Sequence, residues 1–196
     1  MRAYQFSLLI QAAGTALLFL LFVFLFQKIR RKAFFDWVVS WACLLVGLCL
    51  LLALPAVEDR RPFVFVLHVF LLAHLAYLLR GVRRLRDEKA ASGPMELLWI
   101  VPVVAVAWWT SMEADQISGR AAPMALLLGA GYVAAAVSFA TIPGPPAGRV
   151  LLSLSFLLWG VERFVVGASY LRFKTPARVP ELFQYANFAA MFLEIM

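Results

Sequence analysis

The sequence predicts an all-α integral membrane protein: a seven-transmembrane-helix bundle, N-terminus outside and C-terminus inside, with a truncated last helix. Three observations lead there. Of 196 residues, 64% are apolar or aromatic and 15% charged, against about 45–50% and about 25% in soluble domains, and the mean hydropathy is +0.87. The apolar residues gather into seven runs, each long enough to cross a hydrocarbon core of about 30 Å. Lys and Arg fall unevenly between alternate connections, as the positive-inside rule requires.

The runs follow in order. The first covers residues 6–26 and ends at Lys28, Arg30, Arg31 and Lys32; the second covers 37–57 and ends in EDRRP. The third, 63–79, stops at RGVRRLRDEK, and a Ser-Gly-Pro turn leads to the fourth, 97–112, whose interior Pro102 predicts a kink. The loop EADQISGR precedes the fifth run, 123–142, PGPPAGR the sixth, 150–170, and LRFKTPARVPE the seventh, 182–196. Helices are the only open-chain structure that satisfies backbone groups within lipid, and no room remains for a folded soluble domain. The whole of 1–196 therefore reads as one transmembrane domain. Its N-terminus lacks a clear cleavage site and reads as a retained first helix.

With the N-terminus outside, the inner connections hold Lys28, Arg30, Arg31, Lys32, Arg80, Arg83, Arg84, Arg86, Lys89 and Arg149. The outer side holds Arg2, Arg60, Arg61, Arg120, Arg172, Lys174 and Arg178, and Arg163 is left inside a helix. The bias is strongest in the early connections, which usually dominate orientation. The net charge of +7 is thus explained by topology, and its clusters beside apolar runs exclude a nucleic-acid partner. The third run continues into GVRRLRDEK, a basic amphipathic extension suited to an anionic inner leaflet.

Glu162 and Arg163 are the most informative polar residues, because a charge inside a membrane run costs a few kcal/mol. Helical neighbours are about 100° apart, so the pair is expected not to meet within its own helix. At least one then needs a partner on another helix or a water-filled cavity. A polar site and an interhelical pair that fixes packing are both open readings. At 1.5 Å rise per residue, Gln11, His68, Trp108, Trp109, Thr110, Gln184, Tyr185 and Asn187 come to a similar, outer depth. That is the pattern of a small-molecule or lipid pocket opening outward. Interfacial aromatic belts and interhelical polar contacts give the same pattern. The candidate ligand-binding residues are therefore Glu162, Arg163, His68, Trp108, Trp109, Gln184, Asn187 and Gln11.

No catalytic or metal site is expected. His68 and His74 diverge by about 120° around one helix and cannot share a metal. Cys43 and Cys49, six residues apart, lack ligand spacing and read as packing residues. The chain has no HExxH, GxSxG, GxGxxG or P-loop, and no acidic cluster for Mg²⁺. No cofactor is implied.

Four segments carry a family resemblance: FDWVVSWACLLVG, HLAYLLRGVRRLR, LLWGVERF and YLRFKTPARVPELFQYANFAAMFLEIM. They look like the N-terminal seven-helix sensory regions of bacterial signalling proteins, which precede a histidine kinase or a GGDEF-type diguanylate cyclase. The resemblance implies a non-enzymatic input domain in the bacterial inner membrane, dimeric through an effector that lies beyond this sequence. The apolar pattern running to Met196 leads us to expect that the native chain continues there. The alternatives are a small transporter or intramembrane enzyme acting through Glu162 and Arg163, or a subunit whose polar groups serve assembly.

Overall fold

The computed structural model describes residues 3–87, 100–112, 117–142 and 146–173. Among them all regular structure is helical: α1 (Ala3–Ile29), α2 (Lys32–Ala53), a 3₁₀ turn (Leu54–Ala56), α3 (Arg60–Arg86), α4 (Ile100–Met112), α5 (Ile117–Ala140) and α6 (Pro146–Phe173). Five of these are long and apolar enough to cross a membrane, with spans of 20 to 27 residues. The described part of α4 has 13 residues, about 20 Å of helix. The expected seventh run, 182–196, lies outside the described residues.

Most helices extend beyond the apolar runs that announce them. Polar residues at each end can lie in the headgroup region without breaking backbone hydrogen bonding. Thus α2 begins at Lys32, five residues before Trp37, and α3 reaches Arg86. The fifth helix corrects its expected boundary: Pro123 is inside α5 and not at its start, and residues 117–120 of the supposed loop are helical. Proline forfeits one backbone bond and crowds the carbonyl four residues back, a penalty this helix bears internally.

Two compact units divide the chain, Met1–Trp108 and Trp109–Met196. In the first, α2 is the middle helix, packed between α1 and α3. The α1–α2 connection reverses within two residues. Arg30 takes φ 52°, and its N–H meets the Phe26 carbonyl at 2.8 Å, a left-handed cap that costs a non-glycine residue about 1–2 kcal/mol. Phe26 faces Phe35, and Phe22 lies against both Trp37 and Trp41. At the far end Pro55 sits in the 3₁₀ turn, and Asp59 caps α3 by accepting from the Arg61 N–H.

In the second unit α5 and α6 pair antiparallel. A Cβ on Gly129 would stand 3.0 Å from the Gly160 carbonyl, and one on Gly160 would stand 2.7 Å from Val133 Cγ2. Only glycine permits so close an approach of backbones. Tyr132, Phe139, Phe156 and Trp159 fill the space beside that contact.

Large apolar side chains also cover the outer faces of the helices: Leu17, Leu20, Val101 and Val137 are each about 60% exposed or more. Soluble monomers rarely tolerate such continuous apolar surface. It fits helices whose solvent is lipid.

Candidate functional site

The first unit contains a buried polar seam between α2 and α3. Asp36 lies one turn into α2 and is only 1% exposed. Arg84 Nη1 donates to both of its carboxylate oxygens, at 3.0 and 2.9 Å. Arg80, one turn earlier on the same face of α3, holds its Nε 3.7 Å from Asp36 Oδ1. The antiparallel register brings the start of α2 to the end of α3, so the carboxylate meets the basic extension. In this low-dielectric setting the pair is strong only because both partners are present. Losing either leaves an uncompensated charge.

Farther along the seam, Ser40 and His74 are both fully buried. Ser40 Oγ donates to the His74 carbonyl at 2.9 Å. His74 Nδ1 lies 2.9 Å from Ser40 Oγ and 3.1 Å from the Ser40 carbonyl. A carbonyl only accepts and the serine proton is already committed, so the hydrogen-bond network assigns the imidazole proton to Nδ1. Between these two contacts the Trp37 indole donates to the Leu78 carbonyl at 3.4 Å. Its ring lies across Gly81, where any Cβ would collide with it. Trp41 stacks on Phe22 and lies tilted against His74, and its own indole N–H is buried without a hydrogen-bond partner. Such an orphan costs about 1–3 kcal/mol.

The second unit corrects one expectation. Glu162 and Arg163 do meet within α6: Arg163 Nε lies 2.9 Å from Glu162 Oε2. The 100° between neighbouring Cβ atoms separates their directions, but the arginine stem is long enough to curl back around the helix. Its N–H is not aligned on the oxygen, so the contact is an ion pair and not a directed hydrogen bond. Glu162 is buried, whereas the Arg163 side chain is 25% exposed.

The other candidate residues divide between the units. Gln11 is half-buried on α1, His68 is buried on α3, and Trp108 is 56% exposed on α4, its ring edge-on to Phe65 at 5.9 Å. Trp109, 61% exposed, falls with Glu162 and Arg163 in the second unit, beside a buried Thr110. Gln184, Tyr185 and Asn187 lie outside the described residues. Both cysteines are free, and Cys49, expected to pack, is exposed. Among the described residues no group of three or more His, Cys, Asp or Glu is placed to hold a metal ion.

Sequence reasoning missed Asp36, Ser40, Arg80 and Arg84 as a site. It assigned the arginines to topology and left Asp36 in a connection. The available signal was spacing: Asp36 and Ser40 are four apart, as are Arg80 and Arg84, which puts each pair on one helix face. No family model, curated protein or solved structure matches the chain.

Proposed function

We propose that this chain is the membrane-embedded sensory input region of a bacterial inner-membrane receptor, with seven helices, N-out and C-in, and itself non-enzymatic. A small or lipophilic ligand in the outer half of the bundle, or a state of the membrane, shifts the balance between two helix arrangements. The shift passes to a dimeric effector of the histidine-kinase or diguanylate-cyclase type. The observation that carries this reading is the α2–α3 seam, where a few polar contacts set the register of two long apolar helices.

Magnitudes support it. Inverting a two-state population from 1:99 to 99:1 takes about 5.5 kcal/mol, and unpairing one side of a buried ion pair costs about 3–5 kcal/mol. Making or breaking Asp36–Arg84 is therefore on the scale of such a switch. The alternative, a transporter or intramembrane enzyme, draws on the buried carboxylate of Glu162.

The test is a fusion of this chain to a reporter effector in a bacterial membrane. Asp36→Asn and Arg84→Gln should each shift basal output. A residue inserted at the junction should shift it again, since it rotates the downstream helix by about 100°. Unchanged output in both seam variants, at normal membrane levels, refutes the reading; a substrate flux abolished by Glu162→Gln establishes the alternative. Orientation is checked in the same strain, with Cys43 and Cys49 replaced. Glu58→Cys should label from outside and Gly148→Cys should not.

A further inference from the structure

The seam ends in an unbalanced positive charge. At one end of the first unit, α1 finishes with Lys28, the turn carries Arg30 and Arg31, and α2 opens with Lys32. Because Asp36 binds α3 one turn above Lys32, the same end receives Arg80, Arg83, Arg84 and Arg86. Only Asp36 and Asp87 oppose these eight cations among the described residues there. Asp36 accepts from Arg84 through both its oxygens and is also salt-bridged, at 3.7 Å, to Arg80, whose side chain is 32% exposed. Lys28, Arg30, Arg31, Lys32 and Arg83 are exposed.

Two further features place this collar at a lipid interface. Lys28 lies over the Phe24 ring and Arg80 over the Tyr77 ring, each 5.8 Å from the centroid, so apolar bodies below carry charged tips above. Beside Arg30, an open depression of about 400 Å³ is lined by Phe26, Gln27 and Arg30. It offers an apolar wall and a cation at its rim.

We infer that this end of the α1–α3 unit binds the phosphate headgroup of an anionic phospholipid, with Arg30, Arg31, Arg80 and Arg83 as its cationic contacts and the Phe26 depression against its acyl chain. Arginine suits the role because its planar fork pairs with phosphate oxygens and is weakly hydrated. Arg84 is excluded from it by its commitment to Asp36, which holds α3 in place and so keeps Arg80 at the rim.

The inference rests on the membrane reading above but not on the sensory role. Lipid binding is read on the chain alone, without an effector, so its failure and a failure of signalling are separate results.

The experiment is native mass spectrometry of the purified chain in detergent, titrated with phosphatidylglycerol, with phosphatidylcholine, and with inorganic phosphate. Each basic residue near an anionic lipid surface contributes about fivefold. The wild type should therefore prefer phosphatidylglycerol over phosphatidylcholine by about tenfold or more, and Arg30→Gln/Arg31→Gln/Arg80→Gln/Arg83→Gln should lose that preference. Arg149→Gln, in the other unit, should keep it, and circular dichroism should show equal helicity in all three proteins. Equal binding of the two lipids by the wild type overturns the inference, as does a preference that survives the quadruple substitution. Displacement of the lipid by millimolar inorganic phosphate also overturns it, since the site would then recognise a free anion. If the quadruple variant loses helicity, Arg30→Gln/Arg83→Gln decides, with a partial loss of preference expected and an unchanged one overturning.

Discussion

In the first unit, α2 meets α3 through Asp36, Trp37 and Ser40 against Arg84, Leu78 and His74. In the second, α5 meets α6 through Gly129, Gly160 and Gly167, with aromatic rings filling the flanks. Both units face the same problem, because lipid tails are as apolar as leucine and supply no hydrophobic force between helices. One answers with directional polar contacts that define register and can be exchanged. The other answers with shape, letting backbones touch. A polar seam can be rearranged by a competing charge; a glycine contact yields only by moving a helix. That difference is why we propose α2–α3, and not α5–α6, as the place of a switch.

The largest expected effect is on the ion pair. Arg84→Gln should destabilise the folded chain in detergent by about 3–5 kcal/mol, and Asp36→Leu/Arg84→Leu should recover most of that loss, because an apolar pair of similar volume leaves no buried charge. Thermal unfolding followed by circular dichroism measures both. A double variant as unstable as the single one would mean that the pair is a packing element and not an exchangeable key.

The glycine contact comes next. Gly160→Ala forces a Cβ to within 2.7 Å of Val133 and 3.1 Å of the Gly129 carbonyl, and overpacking of this kind costs about 1–3 kcal/mol. Gly148→Ala, with nothing within 4 Å of the added atom, should be neutral or gain about 0.5–1 kcal/mol from helix propensity. Equal losses at both positions would remove the contrast between shape and polarity.

Ser40→Ala should cost less, about 0.6–1.7 kcal/mol on the scale measured for interhelical hydrogen bonds in membranes. The loss should disappear in the background of His74→Leu, where the partner is already absent; additive losses would mean that the two side chains act separately. Arg163→Gln leaves the buried Glu162 carboxylate without this cation, but the ion pair it removes is not a directed hydrogen bond and its arginine side chain is 25% exposed. Its shift in unfolding temperature should fall below that of Arg84→Gln, and a larger one would relocate the critical charge to the second unit.

The composition and the spacing of apolar runs predicted by themselves the five long apolar helices found among the described residues, because backbone satisfaction in lipid leaves one solution per run. They also placed Glu162 correctly as a buried charge, since an ionisable group so deep in an apolar run has few exits. They did not reveal its partner, because pairing at neighbouring positions depends on a side-chain rotamer and not on Cβ direction. The helix ends were missed where polar residues continue the helix past the apolar run, and Pro123 was misread as a boundary. Asp36 was legible only as a residue near a helix start; its burial against Arg84 follows from the antiparallel register of α2 and α3, and nothing local in either segment specifies that register. The tight α5–α6 contact likewise needed the fold, because a glycine alone in a helix names no neighbour. What the sequence carries is where the long apolar helices run and which charges lie along them. Which charge meets which is decided only when two helices choose the faces they share.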